Sequence, residues 1–133
     1  MSDPRLKGWQ VFGDMSPYAE LVGPVYFKET NGERRMAFIV EKKHCNRAGF
    51  AHGGALMGFA DIGLSYVSED PGEPTASVTF TYEFAAPAKI GDLVECRGEV
   101  IRRTRSLIFC HGQLVVDGKI IVNCSTVEKI PRK

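Results

Sequence analysis

The stretch HCNRAGFAHGGALMGFAD, residues 44–61, decides how this chain folds and where its chemistry is expected. It contains two histidines, an asparagine and a Gly-Gly pair, and then an apolar run that closes on one carboxylate, Asp61. A carboxyl group inside an apolar helix is unfavourable unless it is paired, hydrogen-bonded or reached by water. No Arg or Lys lies within a helical turn of Asp61. Because burial raises the basicity of a carboxylate, Asp61 is predicted to act as a base or nucleophile. A solvent-facing Asp61 is the simpler alternative.

The segment from residue 54 to 69 has the length and composition of a helix that is apolar nearly all round, with Pro71 and Gly72 just beyond it. Such a helix is expected to be enclosed by other structure. Gly58 and Gly63 lie inside it, which suggests that another helix or a ligand comes close at these positions.

Strand-like segments occupy most of the remaining chain. Asn31-Gly32 and Asp117-Gly118 each predict a two-residue hairpin turn. The fold class is therefore α+β, a meander of about five or six antiparallel strands with one buried helix between the second and third. The six expected strands are VYFKET, RRMAFIVE, SVTFTYEF, DLVECRGEVIRR, SLIFCHGQLVV and KIIVNCSTVEKI.

The strand SVTFTYEF, which follows the helix, alternates between apolar and polar residues. This pattern predicts a half-buried strand with Ser77 and Thr79 together on the polar face. The apolar face would carry Val78, Phe80, Tyr82 and Phe84.

The chain is predicted to be one domain over residues 1–133. Residues 1–23 would form an arm or short helix, with Ser16 as N-cap and Pro17 at the first helical position. The chain has 17 Lys and Arg against 16 Asp and Glu, which argues against a nucleic-acid partner. It has neither a signal sequence nor a run approaching the ~18 apolar residues of a membrane span, so a cytoplasmic location without membrane contact is expected.

The four cysteines are widely spaced and form no CxxC pair, so we expect reduced thiols and no metal site. Cys45 and Cys110, each next to a histidine, could suggest thiolate nucleophiles. Sequence neighbours on a strand point to opposite faces, however, which argues against that role.

Gly53 and Gly54 stand where the helix begins, and a helix N-terminus offers unpaired amides that attract a developing oxyanion. Without a Cβ at these positions a ligand can reach the amides. The same glycines could instead serve only a tight turn.

The spacing between Gly54 and Asp61 constrains any site that uses both residues. Seven residues on one helix correspond to roughly 10 Å along its axis, too far for both to act on one carbonyl group. If both act on one substrate, Asp61 must come from a second chain. Two antiparallel helices would bring these residues together in a two-fold dimer, with Gly58 near the crossing.

The stretch 44–61, the helix after it and the strand SVTFTYEFAAPAKIGD resemble the hotdog-fold acyl-CoA thioesterases. The resemblance is to the phenylacetate-pathway (PaaI-type) branch of the 4-hydroxybenzoyl-CoA thioesterase superfamily. It covers about residues 18–127 and rests on H-x-N, Gly49, H-G-G and an Asp seven residues beyond the second Gly of that pair. The resemblance implies a sheet wrapped around one central helix, homodimers that usually pair into tetramers, and hydrolysis of acyl-CoA without metal or cofactor.

The resemblance also implies roles for single residues. Asp61 would activate water or attack the thioester, the Gly54 amide would bind the thioester oxygen with help from Asn46, and His52 would shape the helix entrance or polarise the carbonyl. Ser77 would position the water, a role that a shift in register would move to Thr79. The CoA phosphates would lie near Arg102, Arg103 and Arg105.

Each of these roles has a structural alternative. Asn46 could cap a turn, His44 and His52 could bond neighbouring backbone, and the arginines could simply be solvated. For the chain as a whole, two other functions stay open. One is a hydratase or dehydratase of the same fold, and the other is a non-catalytic protein that binds acyl-CoA or an aromatic ligand.

Overall fold

A computed structural model describes residues 3–13, 16–68 and 74–131, and shows one antiparallel sheet packed around a long helix. The predicted α+β class is confirmed, and the sheet has seven strands because a two-residue strand joins its first edge. In chain order the elements are β1 (Gln10–Val11), α1 (Pro17–Val22), β2 (Tyr26–Thr30), β3 (Glu33–Ile39), α2 (Gly53–Ser68), β4 (Ala76–Phe84), β5 (Leu93–Arg103), β6 (Leu107–Val116) and β7 (Lys119–Lys129).

The sheet order is β1-β2-β3-β5-β6-β7-β4. Both predicted hairpin turns are confirmed, since the two residues of each turn have positive φ: 53° and 80° at Asn31-Gly32, 49° and 78° at Asp117-Gly118. The expectation of a simple meander is wrong. After α2 the chain crosses to the far edge of the sheet, where β4 pairs with β7 instead of β3. Two strands joined by a tight turn must pair with each other, whereas a connection as long as a helix lets the chain reach another edge of the sheet.

One side of α2 is packed tightly against the sheet. Leu56, Phe59, Ala60 and Leu64 are buried there among the core residues of β3, β5, β6 and β7. A Cβ on Gly63 would collide with the side chain of Cys96 on β5. Gly63 therefore permits close packing on the sheet, and neither a second helix nor a ligand explains it.

Two further glycines make room for the helix. Gly98 on β5 pairs with Gly112 on β6, and a Cβ on either would overlap the side chain of Leu64. The sheet therefore approaches α2 most closely at this pair.

The opposite side of α2 faces outward, and its residues Gly54, Met57 and Asp61 form what we call the outward stripe. Gly54 and Met57 are exposed and Asp61 is half-buried, so the expectation that the helix is enclosed all round holds for one side only. On one flank of this stripe, the Tyr82 hydroxyl of β4 donates to the Met57 carbonyl at 3.2 Å. On the other, the Tyr18 hydroxyl of α1 fills the space beside Gly58. The end of the helix predicted at Pro71 and Gly72 lies outside the described residues.

A β-bulge interrupts β4 close to its start. Ser77 pairs with Glu128 and Thr79 pairs with Val127, so Val78 has no partner in the ladder. Beyond the bulge, Phe80 and Tyr82 pack towards the core, as predicted for that face. Val78 is 61% exposed and does not follow them. An extra residue of this kind reverses the alternation of side chains along one strand.

The N-terminal arm contains the short helix predicted there. The Ser16 hydroxyl accepts a hydrogen bond from the Ala19 amide at 3.2 Å, and Pro17 occupies the first turn of α1. At the other end of α1, His44 Nε2 contacts the Val22 carbonyl at 2.5 Å. His44 Nδ1 accepts from the Glu41 amide, so both ring nitrogens serve the fold. None of the helices described is long and apolar enough to cross a membrane.

Candidate functional site

The start of α2 is capped by the side chain of His52. The Gly54 amide donates to His52 Nδ1 at 2.8 Å, which satisfies one of the free amides of the first turn. The amide expected to bind a thioester oxygen therefore already has an acceptor. The Gly53 amide, by contrast, has none among the described residues.

This contact sets the tautomer of His52. Because Nδ1 accepts from an amide, a neutral ring carries its proton on Nε2. His52 is exposed, and its Nε2 has no hydrogen-bond partner in the described part of the chain. The helix start thus presents an N–H donor to any ligand that approaches it.

Asn46 lies in the turn that leads to α2. Its Oδ1 accepts from the amides of Ala48 (3.0 Å) and Phe50 (3.2 Å), so the side chain does stabilise the turn. These bonds fix the orientation of the carboxamide and leave its NH2 group as a donor. The isolated bridge between Cys45 and Ala51 closes the same turn.

Asp61 and Ser77 form the second half of the candidate site. The Ser77 hydroxyl donates to Asp61 Oδ1 at 2.5 Å across the gap between β4 and α2. Asp61 lies on the outward stripe of the helix, half-buried and without an ion pair among the described residues. Ser77 therefore holds one oxygen of this carboxylate, and no described residue donates a hydrogen bond to the other.

Thr79 does not share this position. Paired residues of neighbouring strands point to the same face, and Thr79 pairs with Val127 whereas Ser77 pairs with the helix-facing Glu128. The expectation that Ser77 and Thr79 share a face is therefore wrong, because the bulge at Val78 reverses the alternation between them.

Two further side chains near Asp61 are not among the residues predicted from the sequence. Burial, and then the charges of Asp61 and Cys124, raise the pKa of Tyr82, so its hydroxyl stays protonated. Glu128 on β7 is buried at 1% exposure and accepts from Thr75 Oγ1 at 2.5 Å. The alternation of side chains along VNCSTVEK predicts this inward position, because Glu128 lies four residues after the buried Cys124 and so shares its face of the strand.

The arginine cluster lies on the hairpin between β5 and β6. Arg102 and Arg103 end β5, Arg105 lies in the turn, and all three are exposed. Arg103, Ile108, Glu128 and Ser77 form one row across β5, β6, β7 and β4. At about 4.8 Å per strand, the backbone of Arg103 lies roughly 14 Å from that of Ser77 along this row.

These residues form two separate groups in one chain. His52, Gly53, Gly54 and Asn46 surround the start of α2, whereas Asp61 and Ser77 lie two turns further along it. Gly58 lies between them against Tyr18 of the same chain, so its close neighbour is α1.

Two concave surfaces of the described residues lie away from these groups, and neither is lined by a predicted site residue. One, of about 350 Å³, is an open groove on the outer face of the sheet lined by polar residues such as Arg97, Glu99 and His111. A cavity of about 10 Å³ lies beneath α1, lined by Val22, Phe38 and Phe59 among others.

The cysteine thiols and the metal-binding residue types offer no other centre among the described residues. None of the four cysteines forms a disulfide, and burial raises the pKa of Cys96 and that of Cys124, the latter to about 11. The described part of the chain brings no three His, Cys, Asp or Glu side chains together in a way that could hold a metal ion.

Comparison with known proteins identifies the family. The model of the thioesterase superfamily matches residues 48–121, which include the start of α2, Asp61 and Ser77. The chain belongs to the thioesterase superfamily. A provisionally named esterase of Pseudomonas aeruginosa, PA0474, is 31% identical over 130 residues, 94% of this chain and 96% of that protein.

One more relative and one solved structure extend the comparison. Acyl-coenzyme A thioesterase 13 of Mus musculus is 28% identical over 86 residues, 62% of this chain and 61% of that protein. The structure of a point mutant of the phenylacetic acid degradation protein PaaI from Thermus thermophilus superposes with a TM-score of 0.76 at 24% identity. The superposition covers 86% of this chain and 98% of that one, which confirms the predicted hotdog fold.

Proposed function

We propose that this chain is an acyl-CoA thioesterase that hydrolyses its substrate by Asp61-assisted attack of water. The observation that carries the proposal is the 2.5 Å hydrogen bond from Ser77 to Asp61 on the outward stripe of α2. It fixes one oxygen of the carboxylate, and the other has no hydrogen-bond partner among the described residues and would be the one to bind the water. The name of the Mus musculus relative supports acyl-CoA as the substrate class.

In the proposed reaction, Asp61 accepts a proton from water while the oxygen of that water attacks the thioester carbon. The tetrahedral intermediate then expels the CoA sulfur, which leaves as the thiol after taking a proton from Asp61. The products are a carboxylic acid and CoA. Ser77 holds Asp61 and orients the water, and no metal or cofactor enters the reaction.

The developing oxyanion needs donors, and the helix start supplies them. We assign the first to His52 Nε2–H, because the Gly54 amide is already bonded to Nδ1 of the same ring and holds it in place. The NH2 group of Asn46 and the free Gly53 amide lie at the same corner. Donors aimed at the oxyanion stabilise it more than they stabilise the ground state.

The two groups must come from different chains for this chemistry, so we propose a two-fold homodimer. β4 is the edge strand of the sheet, and its exposed backbone edge can pair with a second copy. Large exposed apolar side chains on and beside it support burial at such an interface; they are Phe50, Met57, Val78 and Phe84. In the dimer, the helix start of one chain would face Asp61 of the other, and pairs of dimers would give the expected tetramer.

The CoA moiety would extend from this site towards the arginine hairpin. Arg102, Arg103 and Arg105 place three positive charges on an exposed loop, where phosphate oxygens can reach them. We propose an aromatic or medium-chain acyl group, since aromatic rings border the site on both flanks of α2.

Release of free thiol from a panel of aromatic and medium-chain acyl-CoAs tests the proposal. Wild type should hydrolyse at least one of them, and Asp61→Asn should lose about 10²-fold or more in kcat. Asp117→Asn is the matched control, because Asn tolerates the left-handed turn at that position. Hydrolysis unchanged in Asp61→Asn contradicts the mechanism. Tight binding without turnover would indicate the binding protein, and hydration of an unsaturated acyl-CoA would indicate the hydratase.

A further inference from the structure

Glu128 is the most deeply buried carboxyl group among the described residues, and the proposed reaction does not use it. It lies on β7 at 1% exposure, among residues of the core. A carboxyl group in such a place is unfavourable unless hydrogen bonds compensate it. The chain surrounds it with hydroxyl groups on the side of Oε1 and with the Cys110 thiol, whose Sγ lies 3.6 Å from Oε2.

Those hydroxyl groups come from the two elements that carry Asp61 and Ser77. Thr75, just before β4, donates to Glu128 Oε1 at 2.5 Å, and Ser65 of α2 approaches the same oxygen at 3.4 Å. Ser65 is one helical turn beyond Asp61, and Thr75 precedes Ser77 by two residues. The Ser65–Glu128–Thr75 link therefore runs parallel to the Asp61–Ser77 hydrogen bond and spans the same gap.

The bulge gives this second link a role. Regular pairing of β4 with β7 breaks between Ser77 and Thr79, and Ser77 itself pairs with Glu128. Before the bulge, β4 is held to β7 only by the pairs Ala76–Lys129 and Ser77–Glu128, and a slip of one residue there would turn Ser77 away from the helix.

We propose that Glu128 is a positioning residue for the Asp61–Ser77 pair, acting by tying the start of β4 to α2 opposite the bulge. The proposal rests on the thioesterase function for its kinetic consequence, but not for its structural one. Glu128 does not touch the substrate; it fixes the register in which Ser77 meets Asp61.

Thr75 offers the mildest test, because it is only partly buried and Val has the same shape. Thr75→Val removes the hydrogen bond to Glu128 and should lower kcat about 5-fold with KM unchanged. Thr75→Ser keeps the hydroxyl group and should have a kcat close to that of wild type. Glu128→Gln should lower kcat to a similar extent as Thr75→Val. Thr81→Val is the matched control, since Thr81 is an exposed threonine of the same strand beyond the bulge.

Introducing Thr75→Val into the Ser77→Ala variant distinguishes a positioning role from a general loss of stability. If Glu128 acts through Ser77, adding Thr75→Val to Ser77→Ala should change kcat less than about 2-fold. The proposal is overturned if the loss of kcat in the double variant equals the product of the losses in Ser77→Ala and Thr75→Val. It is also overturned if kcat is unchanged in both Thr75→Val and Glu128→Gln.

Amide hydrogen exchange gives a readout that needs no activity. Thr75→Val should speed exchange at residues 76–78, and Thr81→Val should not. If wild type hydrolyses no acyl-CoA, the thioesterase function fails while this test still decides the positioning role. Unchanged exchange at residues 76–78 overturns it.

Discussion

The hydroxyl of Ser77 donates to Asp61 Oδ1 at 2.5 Å because a bulge at Val78 turns Ser77 towards the helix. The bulge reverses the alternation of the strand, so Ser77 lies on the same side as Phe80 and Tyr82. Bulges often re-aim a side chain next to an active site. This contact connects the fold of β4 to the chemistry proposed for α2.

Replacing Ser77 should therefore affect turnover more than substrate binding. Ser77→Ala removes the donor to Asp61, and we expect kcat to fall about 10- to 100-fold with KM changed less than about 3-fold. Ser77→Thr keeps the hydroxyl and should retain most of the rate. Steady-state kinetics on the best acyl-CoA of the panel would measure both. A kcat for Ser77→Ala equal to that of wild type would contradict the assignment.

His52 allows capping and catalysis to be separated by two substitutions. His52→Ala removes the acceptor of the Gly54 amide and should lower the free energy of unfolding by about 1 kcal/mol. His52→Asn can cap the helix and should keep that stability. If Nε2–H polarises the thioester carbonyl, both variants lose kcat by about 10²-fold.

Urea unfolding and kinetics on the same two proteins give the answer. A loss of stability in His52→Ala without loss of rate in either variant would make His52 a cap only. Loss of rate in both, with stability lost only in His52→Ala, is the expected pattern.

The sequence singles out Asp61 and the helix start as candidate site residues because their signals are local. A lone carboxylate in an apolar run and a Gly-Gly pair at a helix start can be recognised without knowing the partner strands. The helix, both hairpin turns and the α1 cap also follow from local patterns, and the structure confirms them.

What could not be predicted depends on contacts between distant segments. Nothing in SVTFTYEF marks the bulge at Val78, so Ser77 and Thr79 look equivalent in the sequence. The sequence also carries no signal that β4 pairs with β7, since alternation shows which residues share a face of a strand but not which strand lies beside it. The position of Glu128 becomes meaningful only after β4 is known to lie beside it.

The arginine hairpin should recognise the nucleotide end of CoA and not the acyl group. Replacing Arg102 and Arg105 together by Gln should raise KM for acyl-CoA about 3- to 10-fold, as expected for two exposed ionic contacts. KM for an acyl thioester of N-acetylcysteamine, which has no phosphate, should stay unchanged. Arg35→Gln on β3, where Arg35 pairs with Glu33, is the control. Equal losses on both substrates would contradict phosphate recognition.

The stability of the fold should decrease at alkaline pH. Burial raises the pKa of Cys124 to about 11 from an ordinary value of 9.0, and it raises those of Cys96 and Tyr82 as well. The folded chain keeps these groups protonated where the unfolded chain loses the protons, so the free energy of unfolding falls as pH rises. For Cys124 the fall begins near pH 9.0 and continues to about 11.

The midpoints of urea unfolding, measured between about pH 9 and pH 11, would test this loss of stability. Cys124→Ala should be less stable at neutral pH, because it leaves a small cavity, but its midpoint should fall less steeply with pH. An identical pH slope in wild type and Cys124→Ala would show that the Cys124 thiol does not contribute.

The shared site makes a prediction that no single-chain mechanism makes. Asp61→Asn damages one half-site, and Gly54→Val damages the other, because a Cβ on Gly54 would press on the His52 ring at 3.0 Å. Each variant alone should be nearly inactive. In a hybrid dimer, one site carries both defects and the other carries none. After complete subunit exchange, an equimolar mixture should therefore recover about one quarter of the wild-type rate. Exchange is verified by mass spectrometry of differently tagged chains. If hybrids form and the mixture stays inactive, His52, Gly54 and Asp61 act within one chain and the proposed dimer geometry is wrong.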